Sequence, residues 1–159
     1  MSTLTLHRTH RRSWELTDGA TPRGTLHAGR GLVRAEATTT EGSWALRSQG
    51  NRRCRIVAGP AGATAVELEP PLARLAGRDA PAHWSVGRGL RHYRGVLTDG
   101  DREISARTVS GRAGTIRVEV AGVPSDLLVV TVCFALLSRR HQDRMRALWI
   151  AAITSHGPR

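Results

Sequence analysis

Residues 127–137, Leu-Leu-Val-Val-Thr-Val-Cys-Phe-Ala-Leu-Leu, are apolar on every side, interrupted only by Thr131. A helix without a polar face has to be buried all round, so the chain must fold into something that encloses this segment. As a helix the run is about 16 Å long at 1.5 Å per residue, roughly half of the 30 Å hydrocarbon thickness of a bilayer. A second apolar stretch, Ala147–Ile153, follows, but Arg139, Arg140, Asp143, Arg144 and Arg146 stand between the two. Each such charge at bilayer depth costs about 2.5–3.5 kcal/mol, so no transmembrane span is expected. Pro124-Ser125-Asp126 supplies a helix start, with Ser125 or Asp126 able to cap free N–H groups. Arg139-Arg140 marks where the helix meets water, and the expected helix covers 125–138.

The enclosing material precedes it. From residue 1 to about 123, short alternating or β-branched stretches are punctuated by Gly, Asp-Gly or Pro every eight to twelve residues. Candidate strands are Thr3–Arg8, Arg12–Thr17, Arg23–Ala28, Leu32–Thr39, Ser43–Ser48, Arg52–Val57, Ala63–Glu69, Leu72–Ala76, Ala82–Gly87, Tyr93–Thr98, Arg102–Val109 and Thr115–Val120. Asp18-Gly19 and Asp99-Gly100 suit the positive φ that tight hairpin turns require. In the last strand Ile116, Val118 and Val120 face one way and Thr115, Arg117 and Glu119 the other, which predicts a sheet with one dry face. Trp14-x-Leu16, Trp44-x-Leu46 and Trp84-x-Val86 form a weak internal repeat whose members share a strand face.

A dozen short strands with a dry face, followed by a helix that is apolar all round, are satisfied together by a closed antiparallel β-barrel with the helix down its middle. Closure also removes sheet edges that would pair with other chains. The domain reading is a single β-barrel over 1–140, including the central C-terminal helix, and a basic and apolar tail over 141–159. A chain of 159 residues is long enough to close one such core.

The order of elements, the Trp-x-aliphatic strands with Asp-Gly reversals, and the terminal segment from Pro124 to Leu137 resemble the tubby C-terminal-like superfamily. That superfamily includes the phospholipid scramblases and the LURP-one-related proteins. The resemblance covers roughly residues 10–140. It implies a twelve-stranded barrel around a central hydrophobic helix, with no functional residue carried over.

Charge narrows the function. The chain carries 24 basic and 13 acidic side chains, a formal charge of +11, and every basic residue is Arg. This bias reads either as codon usage in a GC-rich genome or as selection for guanidinium chemistry. Arginine forks bind phosphate oxygens bidentately, so the clusters are the candidate anion-binding residues. They are Arg52, Arg53 and Arg55; Arg88, Arg91 and Arg94 beside Tyr93; and Arg139, Arg140 and Arg144 after the helix.

Catalytic motifs point elsewhere. The chain has no Gly-x-Ser-x-Gly, no His-Glu-x-x-His and no phosphate loop with its Lys, so a non-enzymatic protein without cofactor is expected. His7, His10 and His27, and the acidic turn at Asp99, Asp101 and Glu103, read as surface groups and not as a metal site. Cys54 and Cys133 lack metal-ligand spacing, and the N-terminal residues lack a secretory pattern. A cytoplasmic protein with reduced thiols is expected, with peripheral membrane association where the arginines meet lipid.

The expected partner is an anionic phospholipid or membrane surface. An alternative is a structural component that self-associates, as a homo-oligomer, through the tail carrying Leu148, Trp149, Ile150 and Ile153. Weak, non-specific nucleic-acid binding comes third, because Tyr93 is the one aromatic set amid a basic cluster.

Overall fold

Period-two alternation of apolar and polar residues dictates what each strand turns inward. In β12 (Ile116–Ala121) Ile116, Val118 and Val120 are fully buried while Arg117 and Glu119 face out. The computed structural model describes residues 1–50, 55–111, 114–123 and 125–157. Preceding β12 are β1 (Ser2–His10), β2 (Ser13–Asp18), β3 (Thr21–Ala28), β4 (Arg34–Thr39), β5 (Gly42–Gln49), β6 (Arg55–Gly59), β7 (Val66–Glu69), β8 (Leu72–Leu75), β9 (Ala82–Arg88), β10 (Tyr93–Asp99) and β11 (Arg102–Thr108). A short 3-10 turn at Arg30–Leu32 joins β3 to β4, and one helix, α1 (Asp126–Ser155), follows the strands.

Each strand pairs antiparallel with its sequence neighbours, and β1 closes on β12 to complete a twelve-stranded barrel. The closed barrel expected from the sequence is the observed fold. Because direction alternates, connections after even-numbered strands collect at one end of the barrel. Those after odd-numbered strands collect at the other. Helix α1 enters through the first end and leaves through the second.

Small residues line the wall where the helix runs closest. Ala35, Ala37, Ala58, Gly95 and Ala106, on β4, β6, β10 and β11, point inward with a methyl group or less. A helix with side chains is about 10–12 Å across, so the lumen has no room for large groups there. Leu4, Leu6, Leu16 and Val118, on β1, β2 and β12, fill the wider gap opposite. Gly95 is the tightest of these positions: a Cβ there would sit 2.7 Å from the Trp84 ring and 3.3 Å from Leu136. Trp14 and Trp84 belong to the inner cluster and half-buried Trp44 packs against it, as their shared strand face required.

The entry end anchors the helix. Buried Asp126 accepts hydrogen bonds from Arg23 Nη2 at 3.0 Å and Thr40 Oγ1 at 2.9 Å. The hydrogen bond to that carboxylate, and then its charge, raise the Arg23 pKa above its ordinary value. Ser125 occupies the N-cap position but makes no capping bond. Instead Glu41, from the β4–β5 turn, accepts the Asp126 backbone N–H at 2.6 Å and the Ser125 hydroxyl at 3.0 Å. The cap expected from local sequence is therefore supplied across the barrel by a carboxylate at the positive end of the helix dipole.

The helix also differs from expectation in length. The enclosed segment ends near Ser138 as expected, but α1 continues without a break to Ser155, 30 residues in all. The Arg139-Arg140 pair changes the environment and not the backbone. No Gly or Pro interrupts the chain before Gly157, and an Arg139–Asp143 pair at 3.7 Å supports the turn that crosses into solvent. The projecting part does not pack on the barrel, for Leu148, Trp149, Ile150 and Ile153 are 54–70% exposed. No helix among the described residues is long and apolar enough to cross a membrane.

Candidate functional site

Two connections at the exit end depart from the turn chemistry used elsewhere. Tight hairpin connections favour Gly, Asn or Asp, because one or both central residues adopt positive φ. The β1–β2 connection is instead Arg11-Arg12, with Arg12 at φ 67°, and the β3–β4 connection holds Leu32 at φ 53°. They are the two non-glycine residues at positive φ among those described. Each such residue costs on the order of 1 kcal/mol, and strain of this kind concentrates at functional sites.

Both strained residues line one cavity of about 470 Å³ beside the emerging helix. Its rim is Arg8, Arg11 and Arg12 from the first hairpin, Arg30 from the β3–β4 connection, and Arg140, His141 and Arg144 from α1. Trp14, Leu32 and Leu137 contribute the apolar lining. The Trp14 indole N–H is buried with no hydrogen-bond acceptor among the described residues. Six guanidinium groups without a carboxylate partner among the described residues make this a strongly electropositive recess. Beyond it, Met145, Leu148, Trp149, Ala152 and Ile153 follow helical spacing along one face of the projecting helix.

A second basic surface lies on the outer wall, where Arg94, Arg107 and Arg117 occupy one cross-strand row. A third contact is internal to the fold. The Tyr93 hydroxyl donates to Asp143 Oδ2 at 2.9 Å, and Arg88 lies over the Tyr93 ring at 5.9 Å. Burial first, then the hydrogen bond and charge of Asp143, push the Tyr93 phenol above its usual pKa. This contact ties the helix to β10 as it leaves the barrel.

The expected arginine clusters are thus redistributed. Arg140 and Arg144 line the exit recess, Arg91 and Arg94 border the wall surface, and Arg88 is occupied with Tyr93. Arg139 pairs with Asp143, and Arg55 pairs with Glu67 at 3.2 Å. Arg52 and Arg53 lie outside the described residues. The linear sequence did not single out Arg8, Arg11, Arg12 or Arg30, which only the barrel brings together, nor Arg107 and Arg117. The signal available was the Arg-Arg pair between two strands where a turn former belongs.

Other polar candidates have ordinary partners. Ser13 and His27 share a 2.8 Å hydrogen bond between Oγ and Nδ1 on the outer sheet face, and Asp99 pairs with Arg78 at 3.1 Å. Cys133 is fully enclosed, and burial pushes its thiol up to about 12. No family model, curated protein or solved structure matches this chain.

Proposed function

We propose that this protein is a non-enzymatic barrel module that docks on anionic phospholipid surfaces through its exit end. The supporting observation is the convergence of Arg8, Arg11, Arg12, Arg30, Arg140 and Arg144 around one recess, directly beside an exposed apolar helix face carrying Trp149. Phosphate oxygens of lipid headgroups match the guanidinium rim. The apolar face of α1 enters the headgroup and acyl boundary, where amphipathic helices bury about 5–10 Å deep. Each arginine near an anionic leaflet contributes about 1 kcal/mol, so the cluster holds the protein at the surface while the helix face sets the orientation. A relation to the tubby C-terminal-like superfamily is part of this proposal, supported by twelve strands closing around a C-terminal helix.

Co-sedimentation at physiological salt tests it. The protein should pellet with vesicles containing phosphatidylserine and stay in the supernatant with pure phosphatidylcholine. Absence of lipid-dependent pelleting removes the proposal.

A second reading is favoured by the same exposed side chains. Leu148, Trp149, Ile150 and Ile153 form a contact for a second copy of the chain. Truncation after Arg146 followed by light scattering separates the two: a halved mass supports self-association, and an unchanged mass counts against it.

A further inference from the structure

The barrel register places three like charges directly opposite one another on the outer wall. Arg94 of β10 faces Arg107 of β11, and Arg107 faces Arg117 of β12. Like charges directly opposite across strands are destabilising, so an isolated barrel would gain by replacing the middle one. None of the three has a carboxylate ion-pair partner among the described residues. At strand separations of about 4.8 Å the row spans roughly 10 Å.

The wall around this row is concave. A cavity of about 610 Å³ is lined by Arg107 and Arg117 together with Thr5, His92 and Ser110, and by no carboxylate. A smaller one of about 220 Å³ shares His92, Arg107 and Arg117, adds Arg94, and has Glu119 at its border. Together they form a polar groove along the row. Its donors are guanidinium and hydroxyl groups and the His92 imidazole, and among its lining residues there is no Phe, Tyr or Trp ring as a platform for a base. Its lining shares no residue with the exit recess.

We propose that the Arg94–Arg107–Arg117 row is a binding site for a short chain of phosphates, on the outer wall and distinct from the lipid-docking recess, with which it shares no lining residue. A chain of two or three linked phosphates lays its oxygens along the line of guanidinium groups, each able to accept a bidentate pair. The anion neutralises the repulsion that the free row carries, so binding and stabilisation are coupled. The guanidinium line matches phosphate oxygens, so the chain comes either from free inorganic oligophosphate or from the phosphate tail of a nucleotide.

The test uses the full chain and inorganic tripolyphosphate, with calorimetric titration and thermal melts at constant ionic strength. Tripolyphosphate should bind and raise the melting temperature by several degrees, and orthophosphate should bind at least tenfold more weakly. Arg107→Gln faces solvent and has a two-sided signature: it should melt higher than wild type without anion, and lose tenfold or more in tripolyphosphate affinity. Arg140→Gln at the exit recess should leave tripolyphosphate affinity unchanged, which keeps this site distinguishable from lipid docking. ATP binding as tightly as tripolyphosphate identifies a nucleotide tail as the source, and tighter binding of tripolyphosphate identifies the free chain. The proposal is overturned if tripolyphosphate does no better than chloride at equal ionic strength, if Arg107→Gln binds it normally, or if a single-stranded oligonucleotide displaces it at lower phosphate concentration.

Discussion

The two ends of the barrel solve opposite problems. At the entry end two of the turns are Asp18-Gly19 and Asp99-Gly100, with both glycines at positive φ, and the arginines Arg23 and Arg78 are each held by a carboxylate. There the helix start is locked to the β4–β5 turn through Asp126, Glu41 and Thr40. At the exit end a hairpin turns on Arg11-Arg12 with Arg12 in a left-handed conformation, and six arginines crowd a recess without carboxylate partners among the described residues. One end spends its polar groups on one another; the other leaves them for a ligand. Burial of one helix through the lumen lets the first end support the second.

The helix that joins the ends is the most vulnerable element. Val130 is fully buried midway along it, and Val130→Asp strands a charge inside the barrel at a cost of several kcal/mol. Loss of the cooperative near-ultraviolet dichroism transition is expected, and a normally folded variant would contradict the enclosed helix. Next in size, Asp126→Ala takes the buried carboxylate away from Thr40 and from a partly exposed Arg23 and should cost about 2 kcal/mol in urea unfolding. Vesicle affinity of the folded fraction should not change. A drop in both would mean that the ends are not separable.

Arg12→Gly reverses the sign. Relief of the left-handed strain should add about 1 kcal/mol of stability, while loss of a rim guanidinium should weaken binding to phosphatidylserine vesicles about fivefold. A variant that loses stability would place Arg12 among the structural residues.

The smallest effect concerns the clasp at Tyr93. Its pKa is raised in the folded protein, so its contribution to stability is complete below the ordinary value of 10 and declines as pH rises through the folded value. Wild type should therefore lose stability from about pH 10 upward more steeply than Tyr93→Phe. Parallel pH profiles for the two proteins would exclude the clasp.

The strands were legible because two local signals coincide in them, period-two alternation and turn residues such as Asp99-Gly100. The enclosed segment was legible because an all-round apolar helix has nowhere else to go. The end of α1 was not: Arg139-Arg140 marks a change of environment, and a backbone stops only where it meets a breaker, here Gly157. The exit recess was hidden for a different reason. Arg8, Arg30 and Arg140 are far apart in sequence and meet only when the barrel closes. Once strands are numbered, though, parity assigns each connection to an end, and the basic turns fall after odd-numbered strands. The wall row needed more, because Arg94 faces Arg107 only in the observed register.

Trp149 offers the most direct test of which end meets the membrane. Trp14 and Trp84 are buried and Trp44 packs against the core, whereas Trp149 is 70% exposed on the projecting helix. Vesicles of phosphatidylserine mixed with phosphatidylcholine brominated near the top of the acyl chain should quench the protein's tryptophan emission, and Trp149→Phe should abolish that quenching. Protein that pellets with the same vesicles yet shows no quenching, or equal quenching in Trp149→Phe, would contradict docking through the exit end.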